Sequence, residues 1–199
     1  MREPALREID VKTFRRMLTA LIEVYIAAMN PPRSQLPGRQ AIMQRHANHP
    51  GFRAFVVERR RALGSTVVGF IYGFHGSAGQ WWHDVVTSEL YARNGRDYAE
   101  HWLGDSYEVA ELHVHPDYQG MGLGRRLLDT LCEGRPESTV VLSTLDRRPE
   151  TPAHRLYRSV GFADLLSSFE FPGGGPPYAV MGAPLPLVRV PLTESSKPQ

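Results

Sequence analysis

The residues best suited to chemistry lie in one segment, 112–124, which reads Leu-His-Val-His-Pro-Asp-Tyr-Gln-Gly-Met-Gly-Leu-Gly. An apolar run ends at Pro116, a loop with three glycines follows, and Arg125 opens a helical pattern. Glycine lets the backbone approach a ligand closely, and the first amides of a helix have no partner within it. Such amides and the positive end of the helix dipole bind anionic oxygens. The segment therefore predicts a phosphate-binding loop between a strand and a helix.

Two common phosphate-binding motifs do not fit this loop. A P-loop requires G-x-x-x-x-G-K-[ST], and the dinucleotide fingerprint requires G-x-G-x-x-G. The spacing here is Gly120-x-Gly122-x-Gly124, preceded by Val-x-Pro and by Gln119. The ordered combination of Val-x-Pro, Gln-x-x-Gly-x-Gly and an amphipathic helix resembles the acetyl-CoA-binding motif of the GNAT (N-acetyltransferase) superfamily. A glycine-rich strand–helix turn without a ligand is the alternative interpretation.

A second segment, Ala153-x-x-Leu156-Tyr157-x-x-x-Gly161-Phe162, resembles another signature of that family. There the tyrosine hydroxyl reaches the coenzyme sulfur, so the resemblance implies that Tyr157 donates a proton to the departing thiolate. A core aromatic on one face of a helix is the alternative. Glu150 stands where many family members have an asparagine that contacts the cofactor, so the resemblance does not extend to that contact.

The resemblance implies acetyl-CoA as co-substrate, without a metal. Its pantetheine arm would run in an opening between strands 107–114 and 139–144, where an amide near the thioester oxygen would also stabilise the oxyanion. The implied cofactor contacts belong to the strand end and the loop: Leu112, His113, Val114, Gln119, Gly120, Met121, Gly122, Leu123, Gly124 and Arg125.

Acetyl transfer to an amine needs a proton acceptor, because amines are protonated at neutral pH. Glu108 and Glu111 lie on the strand that would hold the thioester. Alternation along a strand predicts that they face opposite sides of the sheet, so that only one points at the reaction centre. Glu108 resembles the base of several family members, and Glu111 is the other candidate. Water acting as the base, with a structural role for each carboxylate, is left open.

His113 and His115 form an H-x-H pair on the same strand face, a spacing that can ligate a metal. No third ligand stands at an informative spacing, so we expect no metal site. A packed strand histidine is the favoured interpretation, with assistance to proton transfer by His113 as the alternative.

The composition favours one well-cored domain in 199 residues, and a net charge of +2 gives no general case for nucleic acid. The single cysteine, Cys132, excludes an internal disulfide and lacks an obvious activating partner. No stretch has the apolar pattern of a signal peptide or a membrane span. We expect a cytoplasmic protein that does not bind membranes.

The periodicity predicts the order β-α-α-β-β-β-α-β-α-β-β, which resembles the GNAT order across residues 5–185. The expected fold is α/β (α+β), with a mixed, mostly antiparallel sheet, a central parallel pair that splays apart, and helices on both faces. Residues 1–185 are the single predicted domain, and residues 186–199 a flexible tail. The insertion at 76–104 holds all three tryptophans. It is interpreted as a helix packed on the sheet, a lid over the acceptor site or a dimer contact.

The resemblance therefore implies an N-acetyltransferase that moves an acetyl group from acetyl-CoA to a primary amine by direct attack in a ternary complex. The acceptor, a small molecule or a protein amine, and a homodimer are left open. The alternative functions are a non-catalytic acyl-CoA-binding sensor or interaction domain and, more weakly, a nucleotide-binding module.

Overall fold

The structure is a computed structural model that describes residues 4–60, 62 and 64–188. The strands are β1 (Ala5–Ile9), β2 (Arg53–Arg60), β3 (Ser65–His75), β4 (Ser106–Val114), β5 (Thr139–Leu145), β6 (Ala163–Phe169) and β7 (Tyr178–Pro184). The helices are α1 (Val11–Met29), α2 (Leu36–His46), α3 (Trp81–Asn94), α4 (Arg96–Leu103), α5 (Leu123–Cys132) and α6 (Pro152–Arg158). None of the described helices is long and apolar enough to cross a membrane.

All seven strands form one sheet in the order β1-β2-β3-β4-β5-β7-β6. Neighbouring strands are antiparallel except β4 and β5, which are parallel. The predicted fold class, a mostly antiparallel mixed sheet with a central parallel pair, is confirmed. Most of the predicted flexible tail, from residue 189 onward, lies outside the described residues.

Helices cover both faces of the sheet. The first face carries α5 and α6, and its core includes Tyr107 and Val140, which pair across β4 and β5. The opposite face carries α1 and α2 over β1–β4. Because Glu108 and Val141 follow these two residues and also pair with each other, both point to that opposite face. The two carboxylates of the site described below lie on this face.

The 76–104 insertion is the helix pair α3–α4, which packs on the second face over β5, β7 and β6. Two hydrogen bonds fix the pair to β5: the Trp82 indole donates to Ser143 Oγ at 3.2 Å, and Thr139 Oγ1 donates to the Trp102 carbonyl at 2.8 Å. The Trp102 ring lies so close to Gly182 of β7 that a Cβ there would be 2.8 Å from Cε3. The insertion is therefore a layer attached to the sheet along its length.

Candidate active site

The loop between β4 and α5 carries backbone amides that lack an internal partner. The amide of Gln119 donates to the Pro116 carbonyl at 3.1 Å, and the first bond of α5 runs from the Arg126 amide to the Gly122 carbonyl. Between them, the amides of residues 120–125 donate no hydrogen bond to any other described residue. Free amides at a helix start attract anionic groups, so this loop has the chemistry of a phosphate cradle.

The three glycines of the loop have different physical roles. Gly120 and Gly122 both have φ of +75°, the left-handed region that side chains disfavour, and a Cβ on either would meet nothing within 4 Å. They are needed for the backbone path that directs the amides outward. Gly124 is needed for packing, because its Cβ would lie 3.2 Å from Leu156 of α6.

Two of the side chains predicted to contact the cofactor form hydrogen bonds within the protein. Gln119 donates from Nε2 to the Val114 carbonyl at 2.9 Å, and Arg125 donates to Ser159 Oγ at 2.5 Å. Leu123 is buried in the core, whereas Met121 is 58% exposed. What the loop presents to a ligand is therefore its main chain and Met121.

The parallel strands β4 and β5 separate beside this loop. Their pairing runs only from Ser106–Thr139 to Glu108–Val141, and β5 then pairs with β7 alone. The His115 amide donates to Val68 of β3, and amide directions alternate along a strand. The amides of Leu112 and Val114 consequently point away from β3, into the gap between β4 and β5. The His113 amide points toward β3, so the structure does not bring it to the gap.

A β-bulge in β4 overturns the predicted placement of the two carboxylates. Tyr72 of β3 pairs with Glu111 while Gly73 pairs with Val109, which leaves Ala110 as an extra residue. An extra residue shifts the alternation by one, so Glu108 and Glu111 face the same side of the sheet. The prediction of opposite faces is therefore wrong. Gly73 is the overlooked signal, since a Cβ there would lie 2.7 Å from the Tyr107 ring, and an isolated strand glycine often marks a bulge.

Glu111 is a buried carboxylate held in place by two cationic or polar partners. Its Oε1 accepts from Arg39 Nη1 at 2.7 Å, and its Oε2 is 2.5 Å from His113 Nε2. Burial opposes its ionisation, but the hydrogen bond and charge of His113, and then the charge of Arg39, hold its pKa below the ordinary value. The Tyr25 ring packs against both partners, 5.0 Å from the guanidinium and 5.1 Å from the imidazole.

Glu108 has the opposite environment on the same face. It is 5% exposed, and its Oε2 has no hydrogen-bond partner among the described residues. Burial, and then the negative charge of Glu111, raises the pKa of Glu108 to about 8. A carboxyl with such a pKa exchanges protons near neutral pH, which suits a general base.

Tyr157 of α6 is the third predicted catalytic residue. Its ring is buried beside Phe162, with centroids 5.7 Å apart, and its hydroxyl makes no hydrogen bond to another described residue. Burial, and then the charge of Glu111, raises the pKa of Tyr157 well above its ordinary value. The hydroxyl therefore keeps its proton and can donate it.

Sequence reasoning missed the residues that surround the carboxylates. Tyr72 is fully buried, and its hydroxyl oxygen lies 3.1 Å from His46 Nδ1. Burial lowers the pKa of His46 to about 4. Arg39 and Tyr25 come from α2 and α1, far from β4 in the chain. No spacing links them to Glu111, so only the packing of these helices could identify them. Among the described residues, no group of three His, Cys, Asp or Glu could hold a metal.

Comparison with known proteins places this geometry among acetyltransferases. A family profile described as acetyltransferase (GNAT) domain matches residues 50–164. The GCN5-like protein acetyltransferase Rv2170 of Mycobacterium tuberculosis is 33% identical over 192 residues, covering 86% of this chain and 93% of the relative.

Two solved structures share the fold. The NatC complex bound to Gag peptide and CoA aligns with a TM-score of 0.63 and 14% identity, covering 92% of this chain and 99% of its own. The yncA protein of Salmonella typhimurium, solved with its cofactor acetyl-CoA, aligns with a TM-score of 0.56 and 21% identity, covering 96% and 98%.

Replacing Glu108 with glutamine should stabilise the folded protein at pH 8 to 9. Glu108 releases its proton near pH 4.5 in the unfolded chain and near 8 in the folded protein, so the wild type loses stability as the pH rises through that interval. Glutamine removes this loss, and the gain in unfolding free energy is on the order of 5 kcal/mol at pH 9 and absent at pH 4. Urea unfolding across this pH range measures it.

Glu111→Gln is the matched control and should act with the opposite sign. The lowered pKa of Glu111 makes its charge stabilising above pH 4.5, and this stability is lost as the pH falls. The variant should be less stable than the wild type at pH 7. A Glu108→Gln effect that is equal at pH 4 and pH 9 would contradict the assignment.

Proposed function

The chain belongs to the GNAT acetyltransferase family, and we propose that it transfers the acetyl group of acetyl-CoA to a primary amine of a protein by direct attack in a ternary complex. The observation that carries the proposal is the gap between β4 and β5, which leads into the loop of free amides at 120–125. Acetyl-CoA supplies an acetyl group activated as a thioester.

The main chain supplies most of the proposed cofactor site. The amides of residues 120–125 bind phosphate oxygens, and the amides of Leu112 and Val114 bind the part of the cofactor that lies in the gap. Gln119 and Arg125 hold the loop in shape through Val114 and Ser159. Leu123 and Gly124 anchor the same loop to the core and to α6.

The two carboxylates divide the work at the acceptor amine. Glu108, with a pKa of about 8 and a free oxygen, accepts the proton that the ammonium group must lose. Glu111 stays ionised between Arg39 and His113, and its charge keeps the pKa of Glu108 high. Glu111 is therefore a positioning residue in this proposal, and Glu108 is the base.

Tyr157 supplies the proton for the departing thiolate. Its hydroxyl stays protonated, because burial and then the charge of Glu111 raise its pKa well above the ordinary value. A covalent cysteine intermediate is disfavoured, because burial and then Asp129 raise the pKa of Cys132 to about 12. A thiol that keeps its proton is a poor nucleophile. These properties support a single transfer step from acetyl-CoA to the amine.

A protein amine is the acceptor class that the relatives favour. Rv2170 is described as a protein acetyltransferase, and the NatC structure holds a peptide.

The test is acetylation of a panel of small amines and peptides, with release of free thiol as the readout. We expect release with at least one peptide that has a free α-amine or a lysine. If acetyl-CoA raises the melting temperature but no amine releases thiol, the protein is an acyl-CoA-binding sensor and the proposal fails.

Gly122→Val should weaken CoA binding about tenfold. A β-branched residue resists φ of +75°, and the strain of roughly 1–2 kcal/mol reorients the loop amides. Isothermal titration calorimetry measures the affinity. Gly134→Val is the control, because Gly134 has φ of +68° and open space at Cβ but lies after α5. Equal affinity in the Gly122 variant and the wild type would exclude the phosphate cradle.

Tyr157→Phe should lower kcat about a hundredfold while the Kd for acetyl-CoA stays within threefold of the wild type. The change removes only the proton donor, which contributes to the transition state. Steady-state kinetics and calorimetry separate the two effects. Tyr107→Phe is the control, since it removes a buried hydroxyl that reaches Gly51 instead. An unchanged kcat in the Tyr157 variant would remove this residue from the mechanism.

A further inference from the structure

Three aromatic side chains from separate elements form a continuous row beside the carboxylates. Trp81 opens α3, Phe171 follows β6, and Tyr178 opens β7. The ring centroids of Trp81 and Phe171 are 5.5 Å apart, and those of Phe171 and Tyr178 are 5.4 Å apart. We call these three residues the aromatic row. Trp81 is 60% exposed, so the row reaches the solvent at one end.

The other end of the row lies on the face of the sheet that carries the active site. Val180 packs with Val141 beneath α3 and α4, and Tyr178, two residues before it on β7, points the same way. Val141 pairs with Glu108, so these side chains share one face. Tyr178 pairs with Leu145, four residues beyond Val141, so it lies past the point where β4 and β5 separate. Burial raises the pKa of Tyr178, and the charges of Arg39 and Glu111 act on this pKa with opposite signs.

Hydrogen bonds of the neighbouring residues fix the backbone around Trp81. The neighbouring Trp82 donates to Ser143 of β5, and the Asp84 carboxylate accepts from the Gly79 amide at 3.1 Å at the start of α3. Gln80 bridges to the His75 carbonyl at 3.0 Å. An aromatic surface fixed in this way loses little conformational entropy when a ligand covers it.

The dimensions and chemistry of the row fit an extended polypeptide. Ring steps of 5.4 and 5.5 Å match about three residues at roughly 3.3 Å each. Exposed aromatic faces favour apolar or aromatic side chains. Glu108, a carboxyl able to accept a proton, lies on the same face, so the row and the carboxylates together match a chain that carries its amine next to apolar residues.

We propose that Trp81, Phe171 and Tyr178 bind the acceptor polypeptide and select apolar side chains within about three residues of the reacting amine. The inference rests on the proposed function and adds its acceptor preference. It assigns to the 76–104 insertion the role of a fixed wall of the acceptor site.

The experiment uses two pairs of eight-residue peptides. The first pair has a free α-amine and no lysine, with either Leu-Leu or Ser-Ser at the second and third positions. The second pair is acetylated at its N-terminus and carries one lysine flanked by either leucine or serine. In one of the pairs, we expect kcat/KM for the leucine peptide to exceed that for the serine peptide about tenfold, mainly through a lower KM.

Trp81→Ala should reduce this preference to less than threefold by raising KM for the leucine peptide, and Trp81→Phe should restore most of it. Tyr91→Ala is the control, because Tyr91 is also an exposed aromatic of α3, at 57%, and lies outside the row. It should leave the preference intact. The Trp81 side chain is mostly in solvent, so its loss should spare the fold, as thermal melting can verify.

The outcomes separate this inference from the proposed function. Turnover of the peptides without a leucine preference overturns the inference and leaves the acetyltransferase proposal standing. A Trp81→Ala variant that keeps the preference, or that only lowers kcat for all peptides equally, also overturns it. If Trp81→Ala dissociates a dimer in sedimentation while the preference persists, the row is a contact between copies of the chain. If no peptide or small amine is acetylated, the proposed function itself fails.

Discussion

The site depends on one constraint, the loss of pairing between β4 and β5 after Glu108. Up to that residue the two parallel strands form an ordinary ladder, and beyond it β4 has amides that no neighbouring strand satisfies. An unpaired backbone amide buried without a partner is costly, so a gap of this kind needs a ligand or water. The loop that follows continues the same pattern, since residues 120–125 also direct free amides outward. A single path of donors thus runs from the strand to the helix.

The bulge at Ala110 determines where the two carboxylates of β4 lie. Without the extra residue, Glu108 and Glu111 would face opposite sides of the sheet. With it, one face holds two buried carboxylates whose environments push their pKa values apart. Arg39 and His113 pair with Glu111, whereas Glu108 has no cationic partner among the described residues, and this difference moves the two pKa values in opposite directions.

The sequence was sufficient for features that depend on local patterns. The glycine loop, the helix that follows it and the position of Tyr157 each follow from residues within a dozen positions of one another. The prediction from strand alternation failed at Glu111, because a bulge depends on the partner strand. Gly73 of that strand is the local sign of the bulge. Arg39, Tyr25 and the His46–Tyr72 pair could not be predicted, since they reach the site through the packing of α1 and α2. The sequence showed that the 76–104 insertion departs from the family pattern. Its hydrogen bond to Ser143 could not be predicted from the sequence.

The two halves of the site are built from different kinds of group, and this has a consequence for specificity. The cofactor half is mostly main chain, so side-chain substitutions outside its glycines change it little. In the proposed site, the acceptor half consists of side chains from α1, α2, α3 and the start of β7. Substitutions in those elements can change the acceptor without disturbing the donors in the gap. Glu108 constrains every such variant, because a carboxyl with a pKa of about 8 must stay buried and unpaired, and its ionisation weakens the fold as the pH rises.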